Sequence, residues 1–147
     1  MGDYFVRPGT TTLPIFDGHT ITVKTYLSHG ERDDSYGRMY VMNEDGKMIP
    51  VLKQLKLAMV TAYLVDWSVT DRAGERVEIF QQPVEAVEQK LRNLFPDEFA
   101  EIHTAITKHE KQMQTARAQE KKRWATAAAT TSPLPSAVAG ALTGSVS

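Results

Sequence analysis

VLKQLKLAMVTAYLVDWSVTDRAGERVEI, residues 51–79, is the stretch whose reading decides the fold. Leu52, Leu55, Met59, Ala62, Tyr63 and Trp67 recur in it at spacings of three and four. That spacing predicts a helix after Val51 with these residues along one core-facing stripe. The stripe ends in Trp67, the largest apolar group available, and Ser68 to Gly74 supplies turn residues. Val77 and Ile79 then resume an extended alternation. Taken alone, these residues specify a packing element and no chemistry.

Upstream, Ile21, Val23 and Leu27 point one way along Thr20 to Leu27, and Thr22, Lys24 and Tyr26 the other. Asp17-Gly18 separates that run from a shorter apolar segment of Leu13, Ile15 and Phe16, so the two predict a hairpin with one buried face. Asp3 to Val6 reads as a short extended piece broken at Pro8-Gly9. Ser28 to Glu31 has the S-x-x-E spacing of a capping box, which predicts a polar helix over Ser28 to Tyr36. Gly30 and Gly37 weaken it, each costing roughly 1 kcal/mol against alanine. A strand from Arg38 to Met42, turning at Glu44-Asp45-Gly46 and returning through Met48 and Ile49, competes, and Arg38 to Pro50 stays open between the two.

Downstream, Pro83 offers a first helical position, and Val84, Val87, Leu91 and Leu94 form the next apolar stripe. Pro96-Asp97-Glu98 starts another helix, its acids suited to the positive end. There Phe99, Ile102, Ile106, His109, Met113 and Ala116 form a heptad-like seam that fades after Met113. The expected organisation is one small α+β domain over residues 1–113, with an N-terminal β-hairpin or small antiparallel sheet packed on a helical C-terminal half. A polar, basic helical extension over 114–131 and a disordered tail over 132–147 follow, the tail being Ser, Ala, Thr, Gly and Pro with almost nothing large to bury.

A chain of 147 residues fits one domain burying roughly two thirds of its unfolded surface. Its net charge of -1 and pI near 6.4 supply no global basic field for nucleic acid or anionic membrane. With no cysteine there is no disulfide, thiolate nucleophile or zinc-thiolate site, which fits a reducing cytoplasm. MGDYFVR has no signal-peptide pattern, and Val6 stands where a myristoylation site wants serine or threonine. No apolar run is long enough to span a bilayer.

The search for chemistry is short. No two of His19, His29, His103 and His109 have the four-residue helical spacing of a metal pair, and no HExxH exists. Asp66, Asp71 and Asp97 read as a residue beside Trp67, a turn support and a helix start rather than as paired catalytic carboxylates. Glycine-rich phosphate loops and a nucleophile elbow are missing, so neither catalytic nor cofactor-binding residues are expected. Lys108, Lys111, Arg117, Lys121, Lys122 and Arg123 gather against Glu110 and Glu120, with Trp124 as a stacking group for an acidic partner or nucleic acid. A solvated helix face is the simpler reading. Tyr63 and Trp67 are taken as core rather than partner anchors. Self-association along Phe99, Ile102 and Ile106 competes with packing of that face on its own domain, which the short seam favours.

Val23-Lys24, Leu27-Ser28, Gly30-Glu31, Tyr63 to Trp67, Thr70-Asp71, Gly74 and Ala105-Ile106 with His109 together resemble a pattern found in phage tail assembly chaperones. These are small proteins encoded near the tail genes of long-tailed phages and prophages, and the resemblance covers roughly Thr20 to Met113. It implies a non-enzymatic role in the host cytoplasm, binding the tape measure protein and recruiting tail tube subunits during virion assembly. Many such proteins also have a longer frameshifted form. Tyr63, Trp67, Asp71 and Gly74 would be its structural residues. An apolar face receiving an amphipathic partner is what this role requires, and Phe99, Ile102, Ile106 and Met113 with Lys108 and Lys111 are the candidate surface. The alternative is a virion structural protein, a tail-tube, connector or completion subunit whose open hairpin edge pairs with a neighbour. A nucleic-acid regulator acting through the basic helix is the least favoured, given the acidic pI.

Overall fold

Thr20–Lys24 is the strand on which the rest is built. In the computed structural model, which describes Gly2 and residues 4–131, this strand (β2) has Ile21 and Val23 fully buried and Thr22 and Lys24 on the half-exposed face. Alternation of residue type thus becomes alternation of burial, worth roughly 1.5–3 kcal/mol for each large apolar side chain removed from water. On one side β2 pairs antiparallel with β1, Thr10–Pro14. A 3-10 turn over Phe16–Gly18 connects them, with Asp17 and Gly18 both at positive φ.

On its other side β2 pairs with β5, Leu64–Trp67, giving the order β1-β2-β5. Ile21 lies opposite Trp67 and Val23 opposite Leu64, with a register shift between Thr22 and Val23. Here the helical stripe expected through Trp67 needs correction. Helix α2 spans Leu52–Tyr63 and passes directly into β5, so Tyr63 and Trp67 are not one helical turn apart. Pairing with β2 satisfies the backbone of the LVDW segment, and this outweighs the continuing helical pattern. The buried face of α2 is also rotated from the expected one. Leu57, Ala58, Val60, Ala62 and Tyr63 are buried, Leu55 and Met59 only half so, and Leu52 is 79% exposed.

Trp67 is nonetheless core, 3% exposed, its Nε1–H donating to the Val77 carbonyl at 2.7 Å. After it a bridge between Thr70 and Arg76 closes the turn at Asp71–Gly74. Asp71 Oδ1 accepts from the backbone N–H of Ala73 and Glu75, and Gly74 adopts φ 82°, which only glycine takes without strain. Asp66 is paired with Arg76, whose Nε–H also donates to the Trp67 carbonyl.

The capping box forms. Ser28 Oγ accepts from Glu31 N–H and Glu31 Oε1 accepts from Ser28 N–H, starting α1, His29–Arg38. The competing strand forms as well, because the two readings occupy different residues: β3, Tyr40–Met42, and β4, Met48–Pro50, pair as a separate two-stranded sheet. Helix α3 spans Val84–Arg92, with Pro83 as its N-cap rather than its first helical residue. Helix α4 spans Pro96–Thr131, opened by Asp97 and Glu98. The fold is α+β, with its small antiparallel sheets in the N-terminal half and a helical C-terminal half. One core joins Ile21, Val23, Val60 and Trp67 with Leu91, Ile102 and Ile106.

By contact the chain divides into two units, Phe5–Met113, and Met1–Tyr4 with Gln114–Ser147. In the second unit Trp124 lies edge-on to Tyr4, with ring centroids 6.2 Å apart, and Arg117 sits 4.7 Å over its ring. The tail expected over 132–147 lies outside the described residues.

Candidate functional site

The Phe5–Met113 unit carries three candidate sites, the first being the surface that the sequence suggests. Ile102 and Ile106 are completely buried, so the Phe99, Ile102, Ile106 face is not an exposed partner surface. It faces the core because the spacing of three and four continues the apolar stripe of α4 against α2 and β2. Phe99 and Met113 remain half-buried, and Lys108 and Lys111 are exposed on α4.

His109, on the same helix, is 2% exposed. Its Nε2 lies 3.1 Å from the carbonyl oxygens of both Lys24 and Thr25. Both partners are acceptors, so Nε2 carries the proton and donates to them. The ring also stands edge-on to Tyr63, centroids 6.0 Å apart. His109 therefore ties α4 to the end of β2.

Beside it lies a cleft of about 260 Å³ between α1, α2 and α4, lined by Leu27, Met39, Leu55 and Met59 together with Arg32 and Tyr63. The Tyr63 hydroxyl donates to Glu110 Oε2 at 2.8 Å, and Arg32 Nη2 donates to the same oxygen at 3.3 Å. Burial, followed by the Glu110 carboxylate that its hydroxyl bonds, holds the Tyr63 phenol well above the usual tyrosine range. His103 at the cleft wall is held below the ordinary histidine value, by burial and then by the Lys56 charge. A phenol held in its protonated form is no base at neutral pH, and Glu110 already has two donors. The trio is a clamp between helices. Among the described residues no group of three His, Asp or Glu side chains is arranged to hold a metal ion.

The third feature is a surface groove. Leu57 of α2, Leu91 at the end of α3, Leu94 in the following link, and Pro96 and Phe99 of α4 line a groove of about 250 Å³. Its shape follows from local sequence. Asn93 caps α3, donating to the Lys90 carbonyl at 3.2 Å, and Leu94 N–H reaches back to Leu91. Only Asn93, Leu94 and Phe95 then separate α3 from Pro96, so the two helix ends stand close without filling the space against α2. Lys53 and Arg92 complete the lining, and no acidic side chain does. Leu52 and Phe95, chain neighbours of lining residues, are each 79% exposed. The groove is thus apolar at its floor, cationic at its rim and flanked by exposed apolar side chains.

Of the expected surface only Phe99 lines this groove; Met113, Lys108 and Lys111 do not. Sequence reading passed over Lys53, Leu57 and Arg92, and placed Leu91 and Leu94 only as a helical stripe. The available signal was Phe95, a large apolar residue in a link where burial was not required. No helix among the described residues is long and apolar enough to cross a membrane. No family model, curated protein or solved structure matches the chain.

Proposed function

We propose that this chain is a phage tail assembly chaperone, a non-enzymatic protein that binds the tape measure protein and recruits tail tube subunits in the host cytoplasm. The resemblance over Thr20 to Met113 motivates the reading. The observation that carries it is the groove over Leu57, Leu91, Leu94 and Phe99, with Lys53 and Arg92 at its rim. An amphipathic helix lays its apolar side chains into such a groove while acidic residues on its flank meet the two cations. A long helical protein that must be kept from aggregating presents that chemistry repeatedly along its length. The exposed Leu52 and Phe95 extend the apolar contact beyond the groove itself.

Co-expression with the neighbouring tape measure protein tests the proposal: that protein becomes soluble with this chain and stays insoluble without it. Mass spectrometry of purified virions separates the chaperone from a structural tail or connector subunit. A chaperone is absent from the particle, whereas a tube or completion subunit is present in several copies.

A further inference from the structure

The cleft between α1, α2 and α4 holds two polar side chains that its clamp does not use. Arg32, Tyr63 and Glu110 satisfy one another, and Ser35 Oγ donates to the Ala58 carbonyl at 3.3 Å. Lys56 and His103 line the same cleft with no side-chain hydrogen bond or ion pair among the described residues. Lys56 is exposed at the rim and His103 half-buried in the α4 wall. An ammonium can only donate, and a neutral imidazole keeps one N–H to give.

The charges facing this space come from all three helices: Arg32 and Tyr36 from α1, Lys56 and Tyr63 from α2, His103 and Glu110 from α4. Arg32 and Glu110 offset each other, and Tyr63 stays protonated. Burial, and then the Lys56 charge, hold His103 below the ordinary histidine value, so it is uncharged at neutral pH. One positive charge is left, that of Lys56. It matches a monoanion, whereas a phosphate dianion is overcharged for the site and a cation is repelled.

Beyond these groups the walls are apolar, with Leu27, Met39, Leu55 and Met59 among them. The space of about 260 Å³ equals roughly eight or nine waters at ~30 Å³ each, close to the volume of an alkyl chain of about eight carbons. Thr107 Oγ, one turn beyond His103 on α4, lies 3.8 Å from Met59 Sδ, so the thioether wall adjoins the imidazole. Methionine side chains adapt to a flexible chain laid against them.

We propose that this cleft binds a medium-chain carboxylic acid, with its carboxylate between Lys56 and His103 and its alkyl chain against Met39, Leu55 and Met59. The two carboxylate oxygens give each donor its own acceptor. Lys56 selects the acid over an alcohol or an amine of equal length, and the apolar wall selects it over acetate. A bound carboxylate favours the charged imidazole, so binding takes up a proton and tightens as pH falls from about 8 to about 6, where the acid is still ionised. The cleft shares no lining residue with the groove over Leu57 and Phe99, and its occupancy does not depend on what that groove holds.

The full chain, carrying carbon-13 at its methionine methyl groups, is titrated with octanoate, 1-octanol, octylamine and acetate and read by NMR. Octanoate shifts the Met39 and Met59 methyls saturably and leaves those of Met42, Met48 and Met113 in place. Octanol, octylamine and acetate bind about tenfold more weakly or less. Lys56→Gln, at an exposed position, weakens octanoate about tenfold with an unchanged circular dichroism spectrum, and Lys56→Arg keeps the affinity within about threefold. His103→Gln flattens the pH dependence. Octanol binding as tightly as octanoate overturns the proposal, as does an affinity indifferent to Lys56→Gln. Shifts that miss Met39 and Met59, or that move all the methionines alike, overturn it too.

Discussion

The Tyr63 hydroxyl and the Glu110 carboxylate, 2.8 Å apart, join the last residue of α2 to α4 across 47 positions of sequence. Removing the hydroxyl leaves Glu110 with Arg32 alone. Tyr63→Phe is expected to cost about 1–2 kcal/mol, read from the urea midpoint at neutral pH. The same contact sets an alkaline limit. Folding raises the Tyr63 pKa above its ordinary 10.0, so the contribution is complete below that value and declines as pH rises past it. Urea titrations from about pH 9 to about pH 11.5 should show stability falling across the upper part of that range, and less steeply in Tyr63→Phe.

The start of α1 yields a prediction at the acid end. Burial raises the Glu31 pKa, but Lys24 and then the Ser28 backbone and hydroxyl outweigh it, and the net shift is downward from 4.5. Stability from this group is therefore present above that value and lost as pH falls below it. Ser28→Ala deletes one half of the capping box. It should cost about 1 kcal/mol at neutral pH and flatten the acid limb, checked by thermal melts across pH.

Asp71 and Gly74 form the turn that returns the chain past Trp67. At φ 82° an added Cβ is strained even though no atom lies within 4 Å of it. Gly74→Ala should thus destabilise by about 1 kcal/mol with no change in the folded spectrum, measured by chemical denaturation.

Elements whose signal is local were legible in the sequence. The capping box needed only Ser28 and Glu31, the hairpin only the alternation around Ile21 and Val23, and the start of α4 only Pro96 and the two acids after it. The path at Tyr63 was not legible, because Leu64 to Trp67 satisfies a helical spacing and becomes a strand only through its pairing with β2, some forty positions upstream in the chain. Burial of Ile102 and Ile106 was legible as packing, but not which face they packed against. The groove was hidden for the same reason. Lys53, Leu57, Leu91 and Phe99 come from three helices, and no spacing in the chain records that they meet.

If the groove selects partners by charge as well as by apolar contact, reversing its rim should show it. Arg92→Glu, at an exposed position, should leave the melting temperature within about 2 °C of wild type. Its binding to an acidic amphipathic helix should weaken roughly tenfold at low salt, measured by isothermal titration, with the difference shrinking as salt rises.

The most direct measurement is co-purification of the neighbouring tape measure protein with this chain, wild type against Leu94→Glu. Leu94 is half-buried at the groove and packs against the edge of the core, so the substitution places a charge on the docking surface, and the circular dichroism spectrum and urea midpoint of the variant establish that its fold is kept. The account predicts soluble, stoichiometric complex with wild type and aggregated tape measure protein with Leu94→Glu. Equal recovery with both chains, or no gain in solubility with wild type, would contradict it.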